Sequence, residues 1–358
     1  MISKKELEKR FTDLSWIWRK VWFINNYRGN SLKEDLKIRV MSFDKQLYVF
    51  HYTYALDICD KDPIPPRKQP EHLAEENPSN LRRLSMAEEN QEGSQVLKPR
   101  TKPPHFVLVH GISLGSWCWY KIKCLMEVSG FTVTCIDLKS SGIDPSSADS
   151  LTSFDQYNQP LIDFLSTLPE QEQVILVGHS AGGLSVTSSI NKFPKKISLA
   201  VYIAATMLKF GFQTDEDLKD GVPDLSEHGD VYELGFGLGS ENPPTSALIK
   251  PEYRRKLLYH MSPQQECALA ELLMRPGPVL ALTTAREKGQ EVEEHVPRVY
   301  IKTLHDRVIT PEQQEAMMKR WPPREAYEVD SDHSPFFSNP FVLFGLLIKA
   351  AVSVGSMI

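Results

Sequence analysis

Residues 174–183 read VILVGHSAGG. An unbroken apolar run from Val174 to Val177 meets a turn signal at Gly178 and continues into a helical pattern through Val186, Ile190 and Phe193. A short apolar run bounded by glycine reads as a buried strand, and the recurrence that follows it reads as a helix. Gly178, Ser180 and Gly182 fit G-x-S-x-G, in which small neighbours let the chain turn so tightly that the central hydroxyl projects above the sheet. Ser180 is therefore the candidate nucleophile. The stretch lacks the Lys-Ser/Thr pair of a phosphate loop and the glycine spacing of a dinucleotide turn. Serine at a helix start also serves simply as a cap, so Ser180 needs partners elsewhere.

Upstream, Phe106 to Val109 is a buried-strand run followed by His110-Gly111-Ile112-Ser113 and a helical pattern from Trp119 through Leu125 and Val128. A second strand, Thr132 to Ile136, precedes a glycine- and serine-containing loop. Ser153 then caps a helix over Phe154 to Leu168. Downstream, Leu199 to Ile203 is a further strand, and the alternation stops after Ala205. Residues 207 to about 277, with Gly-Pro punctuation, the helical pieces Glu252 to His260 and Pro263 to Met274, and a flexible-looking GFGLGSENPP stretch, read as a cap inserted over the sheet. Strand, helix and strand resume at Val299 to Lys302, Pro311 to Arg320 and Tyr327 to Val329. Alternating strands and helices imply an α/β fold, a mostly parallel sheet with helices on both faces.

The chain has 358 residues, 41% of them apolar, and a formal net charge of -5 without a basic block, so nucleic acid is not an expected partner. Its five cysteines, Cys59, Cys118, Cys124, Cys135 and Cys267, show neither a CxxC pair nor zinc-finger spacing. They read as reduced thiols of a cytoplasmic protein, with no metal and no organic cofactor expected. The start, MISKKELEKRF, lacks the apolar core of a secretory signal. Phe341 to Val354 is too short for the roughly 20 apolar residues of a spanning helix and is interrupted by Lys349, so it reads as a buried C-terminal helix with no role in a membrane. Residues 1–59 form an extension whose Trp16, Trp18 and Trp22 are read as packing aromatics. Residues 60–103, rich in proline and charge, read as a linker, and 104–358 as the main domain.

Open parallel sheets bind ligands at the carboxyl ends of their strands. Ser180, Asp306 and His333 each follow a predicted strand there, in the chain order expected of α/β-hydrolases. A histidine that titrates near neutrality can take the serine proton and return it to the leaving alkoxide. A carboxylate from a separate loop would fix the ring and stabilise the imidazolium. Backbone N–H groups of Ala181 and Ile112 are the candidate oxyanion donors. His110 and His179 flank tight turns and read as structural. Asp330 and Asp332 lie too near His333 in sequence to orient it, and His305 is a base only if its loop faces the other way.

HFVLVHG at 105–111, WCWYKIKCLMEVSGFTVTCIDL at 117–138, VILVGHSAGG, and DHSPFFSNP at 332–340 together resemble the plant methylesterases, an α/β-hydrolase family related to the hydroxynitrile lyases. The resemblance runs from about Pro104 to the C-terminus. VPDLSEHGDVYELGFGLG at 222–239 and FVLFGLLIKAAVSVGS at 341–356 are similar to members acting on methyl indole-3-acetate. It implies a carboxylesterase using Ser180, Asp306 and His333 on a methyl ester of a plant signal acid, with methyl indole-3-acetate first and methyl jasmonate or methyl salicylate as alternatives. Lyases of the family carry lysine after the catalytic histidine and threonine in place of the glycine in the His-Gly pair, whereas Ser334 and Gly111 stand here. A hormone receptor on the same fold is the other alternative. Tyr232, Phe236 and Tyr259 are the candidate lining of an apolar pocket beneath the cap.

The tetrapeptide AEEN occurs at 74–77 and again at 87–90, directly after Met86, which makes Met86 a candidate alternative start. A chain beginning at Met86 is expected to keep its cooperative thermal transition and its ester hydrolysis, and loss of either would show that the first 85 residues are needed.

Overall fold

A computed structural model describes residues 39–43, 46–50, 103–286 and 296–355. The chain divides into two compact units, 1–99 and 100–358. In the first, β1 (Arg39–Phe43) pairs antiparallel with β2 (Gln46–Phe50). The three tryptophans, the linker before Pro103, Cys59 and Met86 lie outside the described residues.

The second unit is built on six parallel strands: β3 (His105–Val109), β4 (Thr132–Ile136), β5 (Val174–His179), β6 (Ile197–Ile203), and, after an intervening hairpin, β9 (Arg298–Thr303) and β10 (Glu325–Val329). Their order in the sheet is β10-β9-β6-β5-β3-β4, and every pairing is parallel. Each parallel step needs a crossover, supplied by α1 (Tyr120–Val128), α2 (Phe154–Thr167) and α3 (Gly182–Lys192). The wholly apolar start of β5 is explained by its place: all six of its residues are buried, between β3 and β6. Helix α2 begins where the sequence places it, with Ser153 and Gln156 forming a reciprocal capping box.

The chain runs from β3 outward to β4 and then crosses back to β5 on the other side of β3. Strand order therefore reverses between β3 and β5, the point at which open α/β sheets leave a crevice at their carboxyl ends. Gly111 follows β3 and Ser180 follows β5.

Between β6 and β9 the chain leaves the sheet through α4 (Asp215–Gly221), an antiparallel hairpin of β7 (Tyr232–Gly235) and β8 (Ser246–Ile249), α5 (Pro251–Leu257), α6 (Gln264–Leu273) and α7 (Val279–Thr283). The GFGLGSENPP stretch, expected as flexible loop, supplies the end of β7 and the turn of this hairpin. The excursion packs on loops that follow the sheet strands. Arg275 N–H donates to the Ser113 carbonyl at 3.1 Å, and the Arg275 guanidinium holds the carbonyls of Gly142, Asp144 and Ser146. The sheet resumes with α8 (Pro311–Arg320) between β9 and β10, and closes with α9 (Pro335–Ser338) and α10 (Pro340–Ser353). Helix α10 buries Leu343, Leu346, Leu347, Ala350 and Ala351, while the Lys349 ammonium lies 4.5 Å from the centre of the Tyr327 ring. Among the described residues no helix is long and apolar enough to cross a membrane.

Gly182 fixes how closely α3 approaches β3. A methyl group there would stand 2.6 Å from the His110 carbonyl and 3.0 Å from that of Val109, both rigid backbone atoms. Gly182→Ala is expected to destabilise the fold by about 1–3 kcal/mol, the usual range for overpacking, and to cut ester hydrolysis by displacing Ser180. Urea denaturation of wild type and variant checks this, and coincident midpoints would refute it.

Candidate active site

Ser180 sits between β5 and α3 with φ 53°, a left-handed conformation that β-carbon sterics disfavour. Its N–H donates to the Ile203 carbonyl at 3.2 Å, and its own carbonyl accepts from Gly183 and Thr206 N–H, both at 3.0 Å. The elbow is thus held by the first turn of α3 and by the end of β6. Ser180 itself is only 5% exposed.

His333 lies in the loop after β10. Its Nδ1 is 2.8 Å from Asp306 Oδ2, and both side chains are buried. Asp306 also accepts from Thr303 Oγ1 at 2.9 Å on Oδ2, and from Val308 and Ile309 N–H at 2.8 and 3.0 Å on Oδ1. With Val308, Ile309 and Thr303 all donating to this carboxylate, Nδ1 is the ring nitrogen that donates to Asp306, which leaves Nε2 as the nitrogen on the other side of the ring. The structure therefore joins two of the three predicted side chains directly. The residue before Ser180 ties the serine elbow to the histidine loop: His179 Nε2 donates to the His333 carbonyl at 2.7 Å, and the two rings are 4.7 Å apart. Among the described residues no hydrogen bond joins Ser180 Oγ to the imidazole.

The predicted oxyanion donors flank the same crevice. A β-carbon on Gly111 would stand 2.8 Å from Ser180 Cβ, so glycine lets the loop after β3 pass this close without displacing the serine. His110 orients that loop. Leu138 N–H donates to its Nε2 at 3.1 Å, which puts the ring proton on Nδ1, and Nδ1 lies 2.7 Å from the Gly111 carbonyl. With that carbonyl held, the N–H of the same trans peptide, which belongs to Ile112, points away from His110. Ala181 stands just before α3, where helix N–H groups have no partner within the helix. Among the described residues neither of these two N–H groups meets a protein acceptor.

The remaining candidates have other direct partners. Tyr259 is buried with its ring 6.0 Å from that of Phe337 and its hydroxyl toward Met274 Sδ, Tyr232 is half-buried at the start of β7, and Phe236 is 42% exposed. None of the three shares a hydrogen bond or ring contact with Ser180, Asp306 or His333. His305 is half-exposed and pairs with Asp330 at 2.8 Å. Asp332, a neighbour of His333 in sequence, bonds Ser334 two residues on and also Met261 and Ser262, two partners that no sequence spacing signals. Among the described residues no group of His, Cys, Asp or Glu side chains is arranged to hold a metal ion.

A wholly parallel sheet whose strand-order reversal carries a strained serine, with a carboxylate-bonded histidine on a later loop, defines an α/β-hydrolase. Residues 106–345 match the alpha/beta hydrolase family model. Methylesterase 17 of Arabidopsis thaliana is 81% identical over 278 residues, covering 76% of this chain and all of that protein. The pheophorbidase of Raphanus sativus is 44% identical, covering 69% of this chain and 93% of that one. The crystal structure of the methylesterase MES16 from Arabidopsis superposes with a TM-score of 0.63 at 41% identity, over 70% of this chain and 99% of the other. The chain belongs to the plant methylesterase family of α/β-hydrolases and is a carboxylic ester hydrolase.

Burial also decides the charge of the two structural histidines. His110 and His179 are completely enclosed, and desolvation holds His110 below the ordinary 6.5 and His179 well below it, the latter also disfavoured by the neighbouring His333. The unfolded chain therefore takes up protons first as pH drops below 6.5, so stability falls from there toward the lower folded values. Each such histidine contributes up to about 1.4 kcal/mol of loss per pH unit. Urea denaturation at pH 7.5, 6 and 5 is expected to show a steadily falling midpoint, and a flat profile would contradict neutral burial.

Proposed function

We propose that this chain hydrolyses a methyl ester of a plant signal acid by acyl-enzyme chemistry on Ser180. The observation that carries this reading is the His333–Asp306 pair, in which the carboxylate is saturated by donors and the ring is left with one free basic nitrogen. His333 Nε2 takes the Ser180 proton as Oγ attacks the ester carbonyl, and the oxyanion is received by the Ile112 and Ala181 N–H groups. The proton passes to methoxide, methanol leaves, and water activated by the same nitrogen releases the free acid. Asp306 fixes the tautomer and stabilises the imidazolium. The proposed substrate is methyl indole-3-acetate, on the similarity of the 222–239 and 341–356 segments to family members acting on it. Methyl jasmonate and methyl salicylate are the competing esters. The proposed location is the cytoplasm, on the cysteine spacing.

The hydroxynitrile lyase reading is weaker on two positions. Ser334 replaces the lysine whose cation would stabilise departing cyanide, and it is buried with its N–H bonded to Asp332. At Gly111 the threonine of the lyases would bring its β-carbon against Ser180.

The full chain and Ser180→Ala should be assayed on the methyl esters of indole-3-acetate, jasmonate and salicylate and on mandelonitrile. Turnover of methyl indole-3-acetate is expected to be fastest and to fall at least ~10³-fold in the variant. Cyanide release would instead indicate a lyase, and ester binding without turnover a receptor.

A further inference from the structure

Asp332 has no part in the proposed triad, yet its side chain is fully buried. All three of its partners are donors: Met261 N–H at 2.8 Å and Ser262 Oγ at 2.9 Å to Oδ2, and Ser334 N–H at 3.0 Å to Oδ1. An acceptor-only group suits this environment, whereas an amide would turn an NH₂ against a donor. Met261 and Ser262 form the connection between α5 and α6, in the excursion that packs on the loops after the sheet strands. That connection is itself fixed, since the buried Ser262 accepts on its carbonyl from Arg255 Nη1 at 2.6 Å. One carboxylate thus ties the excursion to the residue directly before His333. On the far side the His333 carbonyl is held by His179, and its ring by Asp306.

We propose that Asp332 is a positioning residue, which brings His333 Nε2 into line with Ser180 only when the Met261–Ser262 connection is seated. The proposal rests on the triad reading. A catalytic group displaced by about 1 Å costs about 10²-fold in rate, so a hydrogen-bonded tie next to the base has leverage without touching substrate.

The test uses the full chain as wild type, Asp332→Asn, Ser262→Ala, the double variant and Ser180→Ala. Two quantities are read: kcat and KM for methyl ester hydrolysis, and the rate at which a fluorophosphonate labels Ser180. In labelling, the Oγ–P bond forms, fluoride leaves and His333 takes the hydroxyl proton, so the rate reports base alignment separately from ester binding. Asp332→Asn is expected to lower kcat and labelling together by about 10–100-fold with KM within about twofold. Ser262→Ala, which keeps both backbone bonds, should lower both by about 3–10-fold, and the double variant should be no worse than Asp332→Asn, as for residues acting as one unit. Wild-type kcat and labelling in Asp332→Asn, or a change confined to KM or to the thermal midpoint, would overturn the proposal. If that variant does not fold, unchanged kcat and labelling in Ser262→Ala would overturn it. Hydrolysis surviving in Ser180→Ala would sink the triad reading itself, whatever Asp332 does.

Discussion

Ser180 holds a left-handed backbone only because the elements around it leave no alternative: β6 receives its N–H, and α3 and Thr206 bind its carbonyl. Such a residue costs about 1–3 kcal/mol, sustained where surrounding structure over-determines it. The rest of the site follows from this turn. To reverse so tightly, α3 must start against the carbonyls at the end of β3, which Gly182 permits. That same approach brings Gly111 against Ser180, so the proposed nucleophile and the proposed oxyanion loop come together through one steric arrangement.

The site divides three histidines among different tasks by burial and partner alone. His110 and His179 are enclosed, kept neutral, and each donates to a main-chain carbonyl. The walls around His179 are aromatic, with the Phe336 ring edge-on at 4.9 Å and Trp119 at 6.4 Å. His333 is as buried as they are, but it faces a carboxylate. A buried imidazole bonded to a carbonyl is a brace, and one bonded to a carboxylate can carry the positive charge that proton transfer gives it.

Much of the sheet was legible in the sequence because β3, β5 and β6 are apolar runs and glycine marks the turns after β3 and in β5. Thr132 to Ile136 and Pro311 to Arg320 fall at the bounds their patterns imply, and the Ser153 cap is the one its chemistry suggests. The order Ser180, Asp306, His333 was legible because the fold places ligands at strand ends. The β7–β8 hairpin was not. Its strands have only four residues each and its connection is rich in glycine and proline, so local pattern could not outweigh loop chemistry. Aromatic type alone does not say what a ring lines: Phe236 is 42% exposed, whereas Tyr259 is buried against Phe337. The Asp332 tie was illegible for another reason: its partners Met261 and Ser262 come from 71 and 70 residues away, joined only by folding.

The bond from His179 to the His333 carbonyl spans 154 residues of chain. A ribosome extends the chain from its N-terminus, so the serine elbow, β3 and the glycine loop exist long before the proposed base, His333, has been made. Contacts of such separation are also slow to form, because the intervening loop must close first. On the proposed triad, every nascent chain gains hydrolytic competence only with the last strand and its loop, which makes turnover a readout of finished folding.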